Sequence, residues 1–339
     1  MKEKDKITII VPIYNVEKYV AKCLDSLLEQ TYSNIIIYAV IDGSPDRSVD
    51  IVRKYAEKDK RIVCIEKENG GYGSVLEYSI KKIKTEYFMI CDPDDWLEKN
   101  AVETLYKIAK QNNLDIVVGD KFLIYEDEKK KEYCSSNASH KIVKENSVLV
   151  DQELYMMSLL SVSPHSKLYR TSLAKNVLFP HKISYTDFYL YIVVLSNSKR
   201  GMYLTKALSN YLIERVGNTA TDKSKRAILN HIKVFNYTFE YLKCKENVSI
   251  YLYIKLYEQY RCSCLELVSK LKDSEIADLS DDLCCIDLLK DKKNEIKKNI
   301  KYSSIFKTIK NKIICSIVFN DKSRNILINL KRRFKYKIK

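Results

Sequence analysis

The sequence predicts an α/β fold, a doubly wound and mostly parallel sheet followed by a helical C-terminal region. Three observations carry this. Over the first 120 residues, short β-rich apolar runs alternate with segments whose apolar residues recur at spacings of three and four, the signature of repeated strand–helix units. The polar clusters follow the apolar runs directly, and sheets of this class gather ligands at the carboxyl ends of their strands. Beyond about Asp222 the pattern is helical to the end of the sequence. The expected domains are therefore 1–221 and 222–339.

In order, strands are expected over 7–11, 35–41, 62–65, 87–91 and 116–118, with helices over 16–29, 48–58, 75–82 and 100–111 between them. Asp46 and Ser48 stand where the second helix needs an N-cap, and Ser74 stands where the third does. Residues 121–146 are charged and weakly periodic and read as an edge hairpin or excursion. After them come a short helix at 154–160, a strand at 167–169 and a helix at 188–195.

With 339 residues, 46% hydrophobic and 30% charged, the chain has the composition of a globular protein with a substantial core. The first apolar run is interrupted by Pro12 and has no small-residue cleavage site behind it, so no signal peptide is expected. No stretch approaches the roughly 18 uncharged apolar residues that span a bilayer, which points to a cytoplasmic protein. The ten cysteines are scattered, and the close pairs Cys262/Cys264 and Cys284/Cys285 lack the spacing of zinc sites. They read as small buried hydrophobes. The net charge of +15 is concentrated in 301–339, where twelve basic residues face one acid; the other 300 residues carry only +4. Such a segment suits an anionic partner.

The loops carry the chemistry. Asp92-Pro93-Asp94-Asp95 follows a strand directly, and three carboxylates at one strand end repel one another unless a cation neutralises them. Mg²⁺ or Mn²⁺, taking carboxylate and phosphate oxygens, is the matching ion; a solvated turn capped by Trp96 uses the same residue types. Asp42 ends the second strand before Gly43, where it can accept from base or ribose donors or serve as a cap. The Gly70-Gly71-Tyr72-Gly73-Ser74 loop matches neither the dinucleotide fingerprint nor the Walker lysine motif. Gly70 and Gly71 read as turn residues, and Asn69 as a ligand contact by loop position.

Together these residues resemble family 2 of the inverting glycosyltransferases, of the bacterial surface-polysaccharide type, which have the GT-A fold. The likeness lies mostly in 7–110: IIVPIYNVEKY (9–19), LEQTY (28–32), IDGSPD (41–46), ENGG (68–71) and CDPDDW (91–96). KLYR (167–170) and YLIERVGNT (211–219) extend it. The resemblance implies a UDP-sugar donor with Pro12 and Tyr14 lining the uridine pocket and Asp42 holding the base. It further implies Asp92 and Asp94 as the metal-binding element, with Asp94 the more direct ligand, and Asp95 beside the sugar. The family's base usually lies in a Glu-Asp pair ahead of a helix. Here Thr186-Asp187 stands there, making Asp187 the candidate base and Thr186 a departure; His181 and His165 are lesser candidates. Processive members carry a Gln-x-x-Arg-Trp motif, whereas the single tryptophan here is Trp96, so transfer of one or a few sugars to a glycan or lipid-linked acceptor is expected.

Ile326, Leu327, Leu330, Phe334 and Ile338 fall on about a third of a helical wheel, with the basic residues largely outside that arc, as in a helix lying on an anionic membrane. The same tail packed on the body of the protein is the alternative. Two rival functions use overlapping features: a nucleotidyltransferase, which lacks its Gly-rich basic signature here, and a nucleotide- or nucleic-acid-binding protein. Bare carboxylates at the strand ends repel phosphate and no nucleic-acid motif is present, so nucleic acid is not expected as a partner.

Overall fold

The computed structural model describes residues 5–125, 130–138, 143–213, 215, 222 and 224–270, without the side chains of 261, 262 and 264–270. The chain divides into two compact units, Met1–Asp222 and Lys223–Lys339.

The first unit is built on one sheet. Its elements are β1 (Ile7–Ile13), α1 (Val20–Leu28), β2 (Ile35–Asp42), α2 (Ser48–Lys58), β3 (Ile62–Lys67), α3 (Tyr72–Lys82), β4 (Tyr87–Ile90), β5 (Trp96–Leu97) and α4 (Ala101–Asn112). They continue with β6 (Ile116–Ile124), β7 (Lys131–Cys134), β8 (Val148–Leu149), α5 (Asp151–Tyr155), β9 (Lys167–Arg170), α6 (Thr186–Asn197) and β10 (Gly201–Leu212). The strand order is β3-β2-β1-β4-β9-β6-β10-β5, with β7 on β6 and β8 on β10. β3, β2, β1 and β4 run parallel, as do β6 and β10, while β9 is antiparallel between β4 and β6.

β1 is central, paired with β2 and β4, and all seven of its residues are buried, so its run is continuously apolar rather than alternating. α1 buries Val20, Cys23, Leu24 and Leu27, and α4 buries Ala101, Val102, Leu105, Tyr106 and Ala109, each a single helical stripe. α4 stops where Asn113 turns left-handed at φ 48°, a C-terminal signal that Asn shares with Gly. The helix expected from residue 16 begins at Val20; residues 16–19 form a turn in which the Val16 carbonyl accepts from the amides of Tyr19 and Val20.

In the second unit, α7 (Lys225–Lys243) is capped by the Ser224 hydroxyl, which accepts from the Ala227 amide at 3.1 Å. It buries Ile228, Ile232, Phe235, Phe239 and Leu242 and packs on α8 (Ile250–Lys270), with the Phe239 and Tyr253 rings 6.0 Å apart. The expected basic amphipathic helix in 301–339 and the pair Cys284/Cys285 lie outside the described residues. Cys23 and Cys91 are buried and free, their sulfurs 3.7 Å apart, as expected of small hydrophobes. Cys244 is exposed at the C-cap of α7, which corrects the expectation that all the cysteines are buried.

Candidate functional site

The loops after β1 and β2 are sewn together. Pro12 is buried at the end of β1, in register with Val40, and Tyr14 is half exposed just beyond it. Asn15 turns left-handed, and its amide donates to the Ser44 hydroxyl at 2.8 Å. Asp46 accepts from the Ser44 hydroxyl and from the amides of Glu17 and Ser48. Burial alone raises its pKa, but these hydrogen bonds outweigh burial and hold it below the usual carboxylate value. Asp46 therefore joins two loops as well as supporting the start of α2.

Asp42 performs the same service for the next loop. Its carboxylate is buried and accepts from the Lys67 ammonium at 2.6 Å and from the amides of Gly70 and Gly71 at 2.9 and 2.7 Å. Its carbonyl accepts from the Asn69 side chain at 3.0 Å. Gly43, at φ +62°, lies so close to this loop that a Cβ would sit 2.9 Å from the Asn69 amide. Asp42 and Asn69 thus shape the loop, whose amides they occupy or adjoin.

The glycine loop in turn seats the segment that leads into α6. The Lys182 amide donates to the Gly70 carbonyl at 2.7 Å, and the Phe179 amide donates to Glu77 of α3 at 2.8 Å. A Cβ on Gly73 would stand 2.2 Å from the Pro180 carbonyl oxygen. Close packing of two segments, rather than phosphate binding, accounts for that glycine. Tyr185 then turns left-handed at φ 68°, and α6 begins with Thr186 buried and Asp187 in its first turn. His181 is half exposed and faces Glu77 at 3.5 Å, at the seat and outside the carboxylate group.

The Asp92-Pro93-Asp94-Asp95 turn closes with the Asp95 amide donating to the Asp92 carbonyl at 3.0 Å. Asp92 accepts from the Tyr72 hydroxyl at 2.8 Å. Burial, reinforced by the charge of Asp94, pushes it up to about 8. Asp94 forms an ion pair with Arg215, whose guanidinium stands 5.4 Å from the Tyr19 ring. Asp95 is 2% exposed, accepts from the Leu212 amide at 2.8 Å and meets His165 Nε2 at 2.5 Å. Burial first, then Asp94 and Asp92, raises the Asp95 carboxyl well above its ordinary value. Burial, aided by Lys121 and Lys167, lowers the His165 imidazole.

Asp187 joins the group electrostatically. Its charge contributes to the raised values of both Asp92 and Tyr72. Burial raises Asp187 itself, while Lys167 and Lys121 pull it back toward the ionised form. Ligating atoms of Asp92, Asp95 and His165 all lie within 4.8 Å of one another. Asp92, Asp94 and Asp95 are therefore grouped in one turn, with Asp187 acting on Asp92, while Pro12, Tyr14, Asp42 and Asn69 belong to the adjoining loops at the ends of β1, β2 and β3. Sequence reasoning assigned no role to Tyr72, Lys121, Lys167 or Arg215. Tyr72, Lys167 and Arg215 lie inside the quoted motifs, but nothing local marks a lysine such as Lys121 as buried. A separate cavity of about 350 Å³, lined by residues including Lys22, Asp25, Glu29 and Asn210, lies against Trp96, with the Lys22 ammonium 3.4 Å above the indole.

The profile of Glycosyl transferase family 2 matches residues 8–178, which include β1 to β4, the carboxylate turn and β9. Glycosyltransferase GlyA of Streptococcus pneumoniae is 36% identical over 232 residues, 67% of this chain and 33% of that protein. A poly(ribitol-phosphate) beta-glucosyltransferase of Bacillus spizizenii is 38% identical over 118 residues, 34% of this chain and 19% of its own length. The matched segments span about a third or less of these relatives. Among solved structures, Staphylococcus aureus TarS 1-349 in complex with UDP-GlcNAc superposes with a TM-score of 0.70 at 19% identity, over 97% of this chain and 92% of TarS 1-349; that likeness is one of fold. With the family profile covering half the sequence and the carboxylate turn at the carboxyl end of β4, the chain belongs to glycosyl transferase family 2.

Proposed function

We propose that this chain is a non-processive, inverting glycosyltransferase. It moves a sugar from a UDP-sugar to a hydroxyl of a glycan, lipid-linked or cell-surface polymer acceptor. The observation that carries the reading is the grouping of Asp92, Asp94 and buried Asp95 with a fourth, partly buried carboxylate, Asp187, that comes from a different element. Family membership, the UDP-GlcNAc held by TarS and the poly(ribitol-phosphate) acceptor named for one relative support the donor and acceptor classes.

The residues fit a divalent cation. Asp92 and Asp95 are both driven toward their neutral forms by burial and by like charge, a repulsion that a divalent cation relieves. Asp92 and Asp94 would hold Mn²⁺ or Mg²⁺, and the ion's chemistry when bound is neutralisation of the departing diphosphate. Arg215, already on Asp94, brings a second positive charge to the same place. Pro12 and Tyr14 line the uridine side, and Asp42 and Asn69 hold the loop against it. Asp95 faces the sugar. Asp187 takes the proton of the acceptor hydroxyl as the new bond forms, which needs an ionised carboxylate; Lys167 and Lys121 favour that form against burial.

Asp187→Asn tests the assignment: UDP release from a UDP-sugar in the presence of acceptor falls by about 10²- to 10⁴-fold, while UDP binding is kept. Full activity in the variant removes Asp187 as the base. The placement of the protein follows as part of the same proposal: cytoplasmic, and peripheral on the inner face of the membrane through 301–339. Among the described residues, no helix is long and apolar enough to cross a membrane. Removal of 322–339 lowers binding to anionic vesicles; unchanged binding contradicts the membrane role.

A further inference from the structure

We propose that His165 is a positioning residue of the donor-sugar pocket: it holds the Asp95 carboxylate in the orientation that accepts from a hydroxyl of the transferred sugar, and so determines which sugar epimer is used. The inference rests on the UDP-sugar reading above and goes beyond it in naming how the sugar is discriminated.

Asp95 is fixed at both oxygens. One accepts from the Leu212 amide at 2.8 Å, and the other lies 2.5 Å from His165 Nε2. Each carboxylate oxygen carries a second lone pair, so these contacts set the direction of the group without exhausting it. The imidazole is held just as firmly. Its ring packs on Tyr211 at 4.6 Å between centroids. The next residue, Ser166, is left-handed at φ 53°, and its hydroxyl is bound to the Asp120 carbonyl and the Ser209 hydroxyl. The Lys167 ammonium donates to the carbonyls of Ser163 and His165.

The second ring nitrogen, Nδ1, is buried and has no hydrogen-bond partner among the described residues. The hydrogen bond that the imidazole makes among the described residues is the Nε2 contact with Asp95. Asp95 lies in the same turn as Asp92 and Asp94, so a fixed acceptor there meets the sugar next to the diphosphate. A buried site built to pair with one hydroxyl rejects a sugar that presents it elsewhere, because the acceptor is left unpaired.

The test uses the full chain and two variants, His165→Phe, which keeps a ring on Tyr211, and His165→Gln, which restores a donor. UDP release is measured with UDP-glucose, UDP-galactose, UDP-GlcNAc and UDP-GalNAc, and UDP binding with Mn²⁺ is followed by calorimetry. In His165→Phe, kcat/KM for the preferred sugar falls about 10- to 100-fold and the ratio between epimers collapses. His165→Gln regains most of that ratio, and UDP affinity is unchanged in both. An epimer ratio unaltered in His165→Phe overturns the inference alone, as does an equal loss with all four sugars. Loss of Mn²⁺-dependent UDP binding in both variants also overturns it, by making His165 a metal ligand. A native chain that neither binds UDP nor releases it from any of the four overturns the UDP-sugar reading and the inference with it.

Discussion

Asp92, proposed above as a metal ligand, shows how a partly buried carboxylate strains the fold that holds it. Burial, reinforced by the charge of Asp94, raises its pKa from the ordinary 3.8 to about 8 in the folded state, so between about pH 4 and 8 the folded state binds the proton more tightly than the unfolded one. Stability from this group is therefore gained as pH falls through that window and lost as pH rises through it. Asp92→Asn flattens this component of the metal-free protein's stability, which urea unfolding followed from about pH 5 to 9 measures; an unchanged slope places the proton elsewhere. Binding of a divalent cation would release the same proton, so its affinity weakens as pH falls. Asp42 is a buried acid whose carboxylate accepts from Lys67 and from the amides of Gly70 and Gly71. Asp42→Ala strands Lys67 and the amides of Gly70 and Gly71, and lowers stability by about 3 kcal/mol or more. A loss of UDP affinity without a loss of stability would instead make Asp42 a ligand contact alone.

At the scale of elements, α3 and the segment entering α6 form the support that brings Asp187 to the carboxylate turn. Gly73→Ala forces a methyl onto the Pro180 carbonyl and lowers stability by about 1–3 kcal/mol, with a larger proportional loss of transfer than of UDP binding because Asp187 moves and the nucleotide loops do not. Equal losses would show that the seat is purely structural. The first four strands and helices are legible because each strand is a short apolar run and each helix an apolar period of three and four. β10 was not, for a physical reason: Thr205 and Lys206 are exposed in its middle, and its register with β6 slips between Tyr203 and Ser209, which destroys the alternation that marks a strand. The antiparallel course of β9 was equally hidden, since KLYR reads the same in either direction. The packing role of the glycine loop depends on Pro180 and Lys182, more than a hundred residues away in sequence, so only the turn was visible locally.

At the scale of the whole molecule, the family motifs fall at the ends of β1, β2, β3 and β4, so the candidate site is legible in their order along the sequence. What the motifs do not reveal is which residues supply the counter-charge. Lys121, Lys167 and Arg215 arrive from β6, β9 and the segment after β10, and their relation to the carboxylates exists only once the sheet is assembled. All of these groups lie within Met1–Asp222, a unit with its own core. A fragment ending at Asp222 therefore binds UDP with an affinity within about threefold of the full chain, by calorimetry; loss of binding would assign part of the donor site to the helical region. The most direct test of the central claim is calorimetric titration of UDP into the full chain with and without Mn²⁺, repeated with Asp94→Ala. Metal-dependent binding that Asp94→Ala abolishes is the expected result. Binding that ignores the metal and survives Asp94→Ala, or no binding at all, contradicts a metal-assisted UDP-sugar site at the carboxylate turn.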